Sequence, residues 1–340
     1  MPQAAIASRR MRTAAPEGVR EHPHPHIVPN LFGIPFGIAG LADVWAVARP
    51  VLDTPPAVAN ALYLLSALVW LVVLAAYLRQ GPRRLTADLR DRTAGPFASL
   101  AVITPLLVSS DLGDYALGAA QVLVAVFLGL TFALGGWLTG QWIAGDYSLD
   151  AAHPAYFLPT VAGGLVGAFA AAYVQMHALA EFSFGIGAVA WLLLGSFTLQ
   201  RLFFRPTLPA ALVPTLAIQV APPAVAGVAY FFMSPGATGA IGEGLAGYAV
   251  LMAVVQLRLI PLYARLRFSV ATWAFTFSYA GAATDAVLWI TAKNPPGAAL
   301  CTAAVTALIT LFITAITVRT VIALARRQLL PAGQPSGQAA

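Results

Sequence analysis

Charged side chains are scarce in this sequence: Asp, Glu, Lys and Arg make up only 9% of its 340 residues. Soluble globular proteins average about 25% charged residues, so this chain has too few charged side chains to form a surface that faces water. Hydrophobic residues account for 59% of the chain, and the mean hydropathy is +0.78. The composition therefore predicts a polytopic membrane protein in a lipid bilayer.

Cysteine is nearly absent as well. The single Cys301 excludes a disulfide within the chain and any metal site built from cysteines. Outside the N-terminal tail the only histidines are His153 and His177, at opposite ends of one apolar segment. The sequence has no HExxH motif, no glycine-rich phosphate loop with a lysine and no plausible Ser-His-Asp set. We therefore expect no enzyme activity, no cofactor and no metal site.

The chain is instead rich in apolar segments, each close to the ~20 residues that cross a bilayer core. The ten segments run over residues 31–48, 57–78, 96–112, 115–143, 155–176, 182–203, 209–233, 240–262, 268–290 and 298–318. The pattern predicts an all-α transmembrane domain at 31–320, a disordered cytoplasmic tail at 1–30 and a cytoplasmic C-terminal tail at 321–340. His22, His24 and His26 alternate with proline in the first tail and could hold a metal weakly, but a solvated linker is the favoured interpretation.

The basic residues are distributed asymmetrically among the loops. Ten spans put both termini on one side, and a cytoplasmic N-terminus places 17 of the 19 basic residues inside, leaving only Arg49 and Lys293 outside. The 18 Arg against one Lys hint at a GC-rich bacterial genome. We thus expect a bacterial cytoplasmic membrane protein. The net charge of +6 follows from this asymmetry and does not indicate nucleic-acid binding, but a basic rim raises the local concentration of anions.

Prolines mark every other segment. They lie near the middle of the first, third, fifth and seventh segments, at Pro35, Pro105, Pro159 and the pair Pro222 and Pro223. A proline within a helix removes a backbone hydrogen bond, which hydrocarbon cannot replace with water. The alternation therefore predicts helical hairpins, each with a kinked inner helix and a straight outer one.

Glycines recur in the predicted inner helices, at Gly33, Gly37 and Gly40 in the first and at Gly163, Gly164 and Gly167 in the fifth. Small residues allow helices to pack closely. They would also leave room for an open lumen. Both interpretations remain possible from the sequence.

Two carboxylates lie away from the segment ends, Asp43 in the first segment and Asp285 in the ninth, whereas Asp111 and Glu243 lie close to segment ends and are assigned to external loops. An intramembrane carboxylate suggests function, here coupling to protons. The favoured alternative is that each is hydrogen-bonded or reaches external water. No Arg or Lys lies in mid-membrane, so an anion crossing there would be bound weakly, as rapid permeation requires.

Aromatic residues cluster in the ninth segment, where Phe277 lies near the midpoint. Trp273 and Gly281 flank Phe277 at four-residue spacing on the same helix face. A phenyl ring over a glycine could close a narrow pore. A phenylalanine in a membrane helix more commonly packs against other helices or lipid, so the residues alone leave both roles open.

Three stretches resemble one family of membrane proteins. They are residues 153–167, residues 214–227 with Ala-Pro-Pro at 221–223, and residues 268–277 with Phe-Ser-Val-x-x-Trp-Ala-Phe-Thr-Phe. Together they are similar to the tellurite-resistance protein TehA, the C4-dicarboxylate transporters and the plant slow-type anion channels.

The resemblance implies ten helices arranged as five hairpins in a quasi-fivefold ring, with odd-numbered helices lining a pore. It also implies a homotrimer with one pore per subunit, occluded by a phenylalanine of the ninth helix. That residue corresponds best to Phe277, because Phe275 would point about 200° away on a regular helix. Plant members usually have proline directly after this phenylalanine, whereas this chain has Ser278, so Gly281 is expected to supply flexibility.

Three classes of function remain in view. The leading hypothesis is an anion channel for small monovalent anions such as chloride and nitrate, closed at rest by Phe277. The second is a transporter or exporter of oxyanions or C4-dicarboxylates, proton-coupled through Asp43 or Asp285. The third, a purely structural scaffold, is disfavoured by the recurrent prolines in the spans.

Overall fold

The computed structural model describes residues 26–145, 148–234 and 238–329, and every regular element in these ranges is helical. The predicted all-α class is thereby confirmed. His22, His24, most of the N-terminal tail and residues 330–340 lie outside the described residues. The α-helices are α1 Gly33–Leu52, α2 Ala57–Leu78, α3 Pro82–Arg90, α4 Leu100–Asp111, α5 Gly113–Ala144, α6 Gly163–Tyr173, α7 His177–Phe204, α8 Ala221–Met233, α9 Ala240–Tyr263, α10 Ala274–Lys293 and α11 Ala298–Ala325.

Membrane-length helices account for most of the described chain. Eight are each long and apolar enough to cross a bilayer. The short amphipathic helix α3 and the segment Gly95–Asp111, bent by 118° from each other, make a ninth if the pair is counted as one span. The segment 270–293, which corresponds to the ninth predicted span, is not among these candidates; it carries Asp285 and several hydroxyl side chains.

Burial separates the spans into two alternating sets. The inner spans Pro29–Leu52, Pro154–Tyr173 and Val213–Met233 are 72 to 89% buried over their most apolar windows. The outer helices α2, α5, α7, α9 and α11 are only 17 to 28% buried, and their exposed side chains are largely leucine, valine and phenylalanine. Such an apolar outer surface fits contact with lipid. The predicted pairing of inner and outer helices is confirmed.

The inner helices close into a ring. Backbone contacts join α1 to α4, α4 to α6, α6 to α8, α8 to α10, and α10 back to α1. Each inner helix also packs against the outer helix that follows it in sequence. Five hairpins therefore surround a common axis, as the resemblance implied.

Each inner span begins with a short non-α segment on the same side of the ring. These starts are the 3₁₀ turns Pro29–Phe32, Gly95–Ser99, Pro154–Phe157, Val213–Val220 and Val270–Trp273, with a π-helical turn at Leu158–Ala162. The α-helices α1 and α8 then begin within the span, and Pro35, Pro222 and Pro223 fall in their first turns. A proline there costs little because the first-turn amides have no intrahelical acceptor.

Pro105 is different because it lies inside α4, at the sixth residue. Its ring removes the hydrogen bond that the carbonyl of Ala101 would accept four residues earlier. The indole nitrogen of Trp70 on α2 donates to that carbonyl at 2.8 Å. An outer helix therefore supplies the donor that the inner helix lacks.

Candidate functional site: a central cavity within the ring

A narrow cavity of about 50 Å³ lies on the axis of the ring. All five inner spans contribute side chains to its wall. Lining residues include Asn30, Phe36, Phe97, Leu100, Phe157, Leu165, Ile218, Val225, Trp273 and Phe277. The C-terminal third of no inner span takes part, so the cavity occupies the half of the ring where the inner helices begin.

The wall of this cavity is almost entirely apolar. Among its lining residues none is charged, and the polar groups are chiefly Asn30 and Ser278. The arginines lie outside it, with Arg83, Arg84 and Arg90 exposed on α3 at the end where the inner helices begin. An anion would thus be attracted to the rim but would meet no fixed cation inside.

Two phenyl rings stack in the wall of the cavity. The rings of Phe36 on α1 and Phe277 on α10 have centroids 3.6 Å apart and planes inclined by 20°. Both side chains are buried. A Cβ atom added at Gly40 would lie 2.9 Å from Cδ2 of Phe277, so this glycine makes room for the ring.

Phe36 was not among the residues predicted from sequence. It follows Pro35 directly and precedes Gly40 by four residues, so it shares a helix face with a glycine, as Phe277 does with Gly281. That spacing is the local feature that could have drawn attention to it. Its partner is 241 positions away, and no local pattern predicts such a pair.

The two faces of α10 have different environments. Phe277 faces the cavity, whereas Phe275 packs edge-on against Tyr263 of α9 with ring centroids 4.8 Å apart. Phe275 and Tyr279 line a separate groove outside the ring. The two phenylalanines thus occupy different sites despite being two residues apart.

Most of the other residues predicted to line or bend the pore lie away from the cavity wall. Pro222 is one of its lining residues. Pro35, Gly37, Pro105, Pro159, Gly163, Pro223 and Gly281 are not. Their part in a passage stays a prediction.

Close packing explains why glycine occupies several of these positions. A Cβ atom at Gly37 would overlap Thr276 of α10, and one at Gly163 would lie 2.6 Å from Cγ2 of Thr131 on α5. At Gly281 it would lie 3.1 Å from Cγ2 of Val225 on α8. The glycines therefore bring neighbouring helices of the ring and its outer layer together.

The ring does not bring Asp43 and Asp285 together. Asp43 faces α2, where the hydroxyl of Tyr63 donates to its Oδ1 at 2.5 Å. Asp285 faces α8 against Gly227, and its buried Oδ1 has no hydrogen-bond partner among the described residues. Neither residue lines the central cavity.

Two further polar residues, Arg201 and His153, lie buried near the start of the inner span Pro154–Tyr173. Arg201 is buried and donates to the carbonyl oxygens of Pro206 at 2.6 Å and Asp150 at 3.2 Å. His153 is fully buried beside Phe97 and Tyr156. Burial lowers the pKa of its imidazole to about 4, and the charge of Arg201 acts in the same direction.

A ring of five inner helices around an apolar axial cavity is the architecture of a membrane channel or transporter. A sequence model of the voltage-dependent anion channel family matches residues 26–321, and the chain belongs to that family.

Named relatives are found in bacteria and plants. The chain is 27% identical over 259 residues to the tellurite resistance protein TehA homolog of Haemophilus influenzae, an alignment that covers 75% of this chain and 79% of the relative. It is 26% identical over 321 residues to the S-type anion channel SLAH3 of Arabidopsis thaliana, covering 89% of this chain and 49% of the plant protein. The guard cell S-type anion channel SLAC1 of the same plant is 28% identical over 174 residues, or 51% of this chain and 31% of its own length. The chain thus spans about half or less of these plant relatives.

Proposed function

We propose that this protein is an anion channel that passes small monovalent anions such as chloride and nitrate through the axis of the ring. The observation that carries the proposal is the apolar cavity in the half of the ring where the inner helices begin, with the stacked pair Phe36 and Phe277 in its wall. Membership of the voltage-dependent anion channel family supports the choice of anions.

In this proposal Phe277 is the gate. Apolar side chains at a constriction keep water out, and an ion cannot pass until the ring moves. The absence of charged side chains among the cavity's lining residues favours weak binding and rapid release once the gate opens. Phe36 is the wall against which Phe277 closes.

The setting of the channel is part of the proposal. Most arginines lie at the end where the inner helices begin, so that end faces the cytoplasm together with both termini. The protein would lie in the bacterial cytoplasmic membrane as a homotrimer with one passage per subunit. Residues 31–320 would form the channel domain, flanked by cytoplasmic tails at 1–30 and 321–340.

Reversal potentials test the function. Purified Phe277→Ala protein in planar bilayers should conduct, and under a chloride gradient its current should reverse at the Nernst potential of chloride. Replacing chloride by nitrate on one side should shift that potential, while changing pH should not. A reversal potential that follows the cation gradient would contradict anion selectivity.

A coupled transporter of oxyanions or C4-dicarboxylates is the second candidate, favoured by one observation. The Oδ1 atom of Asp285 is buried and has no partner among the described residues, as expected for a carboxyl that takes up a proton. In that case the double variant Asp43→Asn/Asp285→Asn should abolish the coupled flux. Under the channel proposal it should leave the current of the Phe277→Ala background nearly unchanged.

A further inference from the structure

The outer layer of helices has a gap at one position. The outer helices α2, α5, α7 and α11 each pack against the inner helix of an adjacent hairpin, namely α4, α6, α8 and α1. Within the described residues, α9 and α10 make no comparable backbone contact. A groove of about 700 Å³ separates them, bounded by α9, α10 and α11.

The walls of this groove are mostly apolar and aromatic. Phe275 and Tyr279 of α10 and Phe312 of α11 form one side, and Tyr279 and Phe312 have ring centroids 5.6 Å apart. At the back, Oε1 of Gln256 accepts hydrogen bonds from the hydroxyls of Tyr263 at 2.8 Å and Tyr279 at 3.1 Å. Because these polar groups are hydrogen-bonded to one another, the wall that a bound molecule would contact is mainly apolar.

Two arginines stand at one end of the groove. Arg267 precedes the inner span 270–293, and Arg319 lies near the end of α11. The indole nitrogen of Trp273 donates to Oγ1 of Thr320 at 2.9 Å, which places Arg319 level with the start of that span. Both arginines are exposed, and neither has an acidic partner among the described residues.

We propose that this groove binds an anionic phospholipid from the leaflet on the arginine-rich side. The headgroup phosphate would lie between Arg267 and Arg319, and an acyl chain would extend toward mid-membrane along Phe275, Tyr279 and Ala282. Charge complementarity at one end and an apolar trough along the rest match the two parts of such a lipid. If a second copy of the chain occupied the groove instead, the two arginines at its end would have no role in binding.

The location gives the lipid access to the gate-bearing helix. Phe275 and Tyr279 would contact the acyl chain from one face of α10, while Phe277 contacts Phe36 from the other. The binding claim itself does not rest on Phe277 being a gate.

Native mass spectrometry of the purified full-length protein tests the site. The probes are phosphatidylglycerol and phosphatidylcholine with identical acyl chains. We expect at least one phosphatidylglycerol per subunit to bind more tightly than phosphatidylcholine. Arg267→Gln/Arg319→Gln should weaken phosphatidylglycerol binding about 30-fold, since each arginine near a membrane surface contributes about 1 kcal/mol.

Two further variants separate this site from general effects. Arg265→Gln/Arg326→Gln removes two exposed arginines that do not line the groove and should leave lipid binding unchanged. Ala315→Trp places a bulky side chain within the groove and should abolish binding of the same lipid. Equal loss of phosphatidylglycerol binding in both arginine double variants would overturn the proposed site. A change in the number of subunits in Ala315→Trp without loss of lipid would also overturn it, and would identify the groove as a contact between copies of the chain.

Discussion

The carbonyl oxygen of Ala101 shows how this fold tolerates proline at the level of a single atom. Pro105 removes its helical donor, and Trp70 replaces that donor from a neighbouring helix. In hydrocarbon, an unpaired carbonyl oxygen would have no water molecule from which to accept a hydrogen bond. Pro105 in α4 therefore also constrains the residue at position 70 of α2, which must donate a hydrogen bond to the Ala101 carbonyl.

Trp70→Phe should destabilise the protein by about 1–3 kcal/mol, because it leaves the Ala101 carbonyl without a donor. Thermal unfolding in detergent measures the change. The cost should shrink in a Pro105→Ala background, where the restored backbone amide serves the same carbonyl. Trp137→Phe, an exposed substitution on α5, serves as the control. Equal losses for Trp70→Phe with and without Pro105 would rule out this hydrogen bond as the cause.

His153 should make the folded protein sensitive to acid. Its imidazole has a pKa of about 4 when folded against an ordinary 6.5, so the unfolded chain takes up a proton first as pH falls. Stability is therefore full above pH 6.5 and declines toward pH 4, by about 3 kcal/mol from this residue. Melting temperatures across that range should fall less steeply in His153→Gln than in the wild type. The exposed His177→Gln should match the wild type; a His153→Gln profile identical to both would refute the assignment.

Among the helices, the contact between α1 and α10 decides where the Phe277 ring lies. Gly33, Gly37 and Gly40 bring α1 against Trp273, Thr276 and Phe277 in succession. Three small residues on one face thus set the distance between the two helices and leave room for one phenyl ring.

Gly40→Ala should displace the Phe277 ring, because the new Cβ would lie 2.9 Å from its Cδ2 atom. The expected result is a higher resting anion conductance in planar bilayers, smaller than that of Phe277→Ala. The double variant should equal Phe277→Ala alone, since the two changes act on the same ring. Gly129→Ala, whose added Cβ meets nothing within 4 Å, is the control and should conduct like the wild type. Additive increases in the double variant would show that Gly40 acts elsewhere.

At this scale the sequence predicted the identity and order of the spans well. The segment 57–78 coincides with α2, and most other boundaries differ by only a few residues. Apolar length and proline alternation sufficed because each depends on local chemistry. The short helix α3 and the non-α starts of the inner spans were not predicted, since they depend on how neighbouring helices satisfy the backbone.

For the whole molecule, proline alternation predicted the hairpins and the family resemblance implied the ring, but neither predicted the long-range contacts. The stacking of Phe36 on Phe277 joins residues near opposite ends of the chain. The groove between α9 and α10 forms because the backbones of these two helices do not pack closely. The residue pattern of neither helix predicts this separation. The two carboxylates lie on adjacent inner helices, yet they face different neighbours, because helix rotation is fixed by packing.

The central claim is that anions pass along the axis of the ring and that Phe277 closes this path. Conductance of purified Phe277→Ala and Phe275→Ala in planar bilayers, measured side by side at matched protein amounts, tests it most directly. Both substitutions remove a buried phenyl ring from α10, but only Phe277 lines the axial cavity. We predict that Phe277→Ala raises anion conductance by about tenfold or more, as lowering the barrier by about 1.4 kcal/mol would, while Phe275→Ala stays at the wild-type level. A well-folded Phe277→Ala protein that conducts no more than the wild type, or an equal rise in both variants, would contradict the claim.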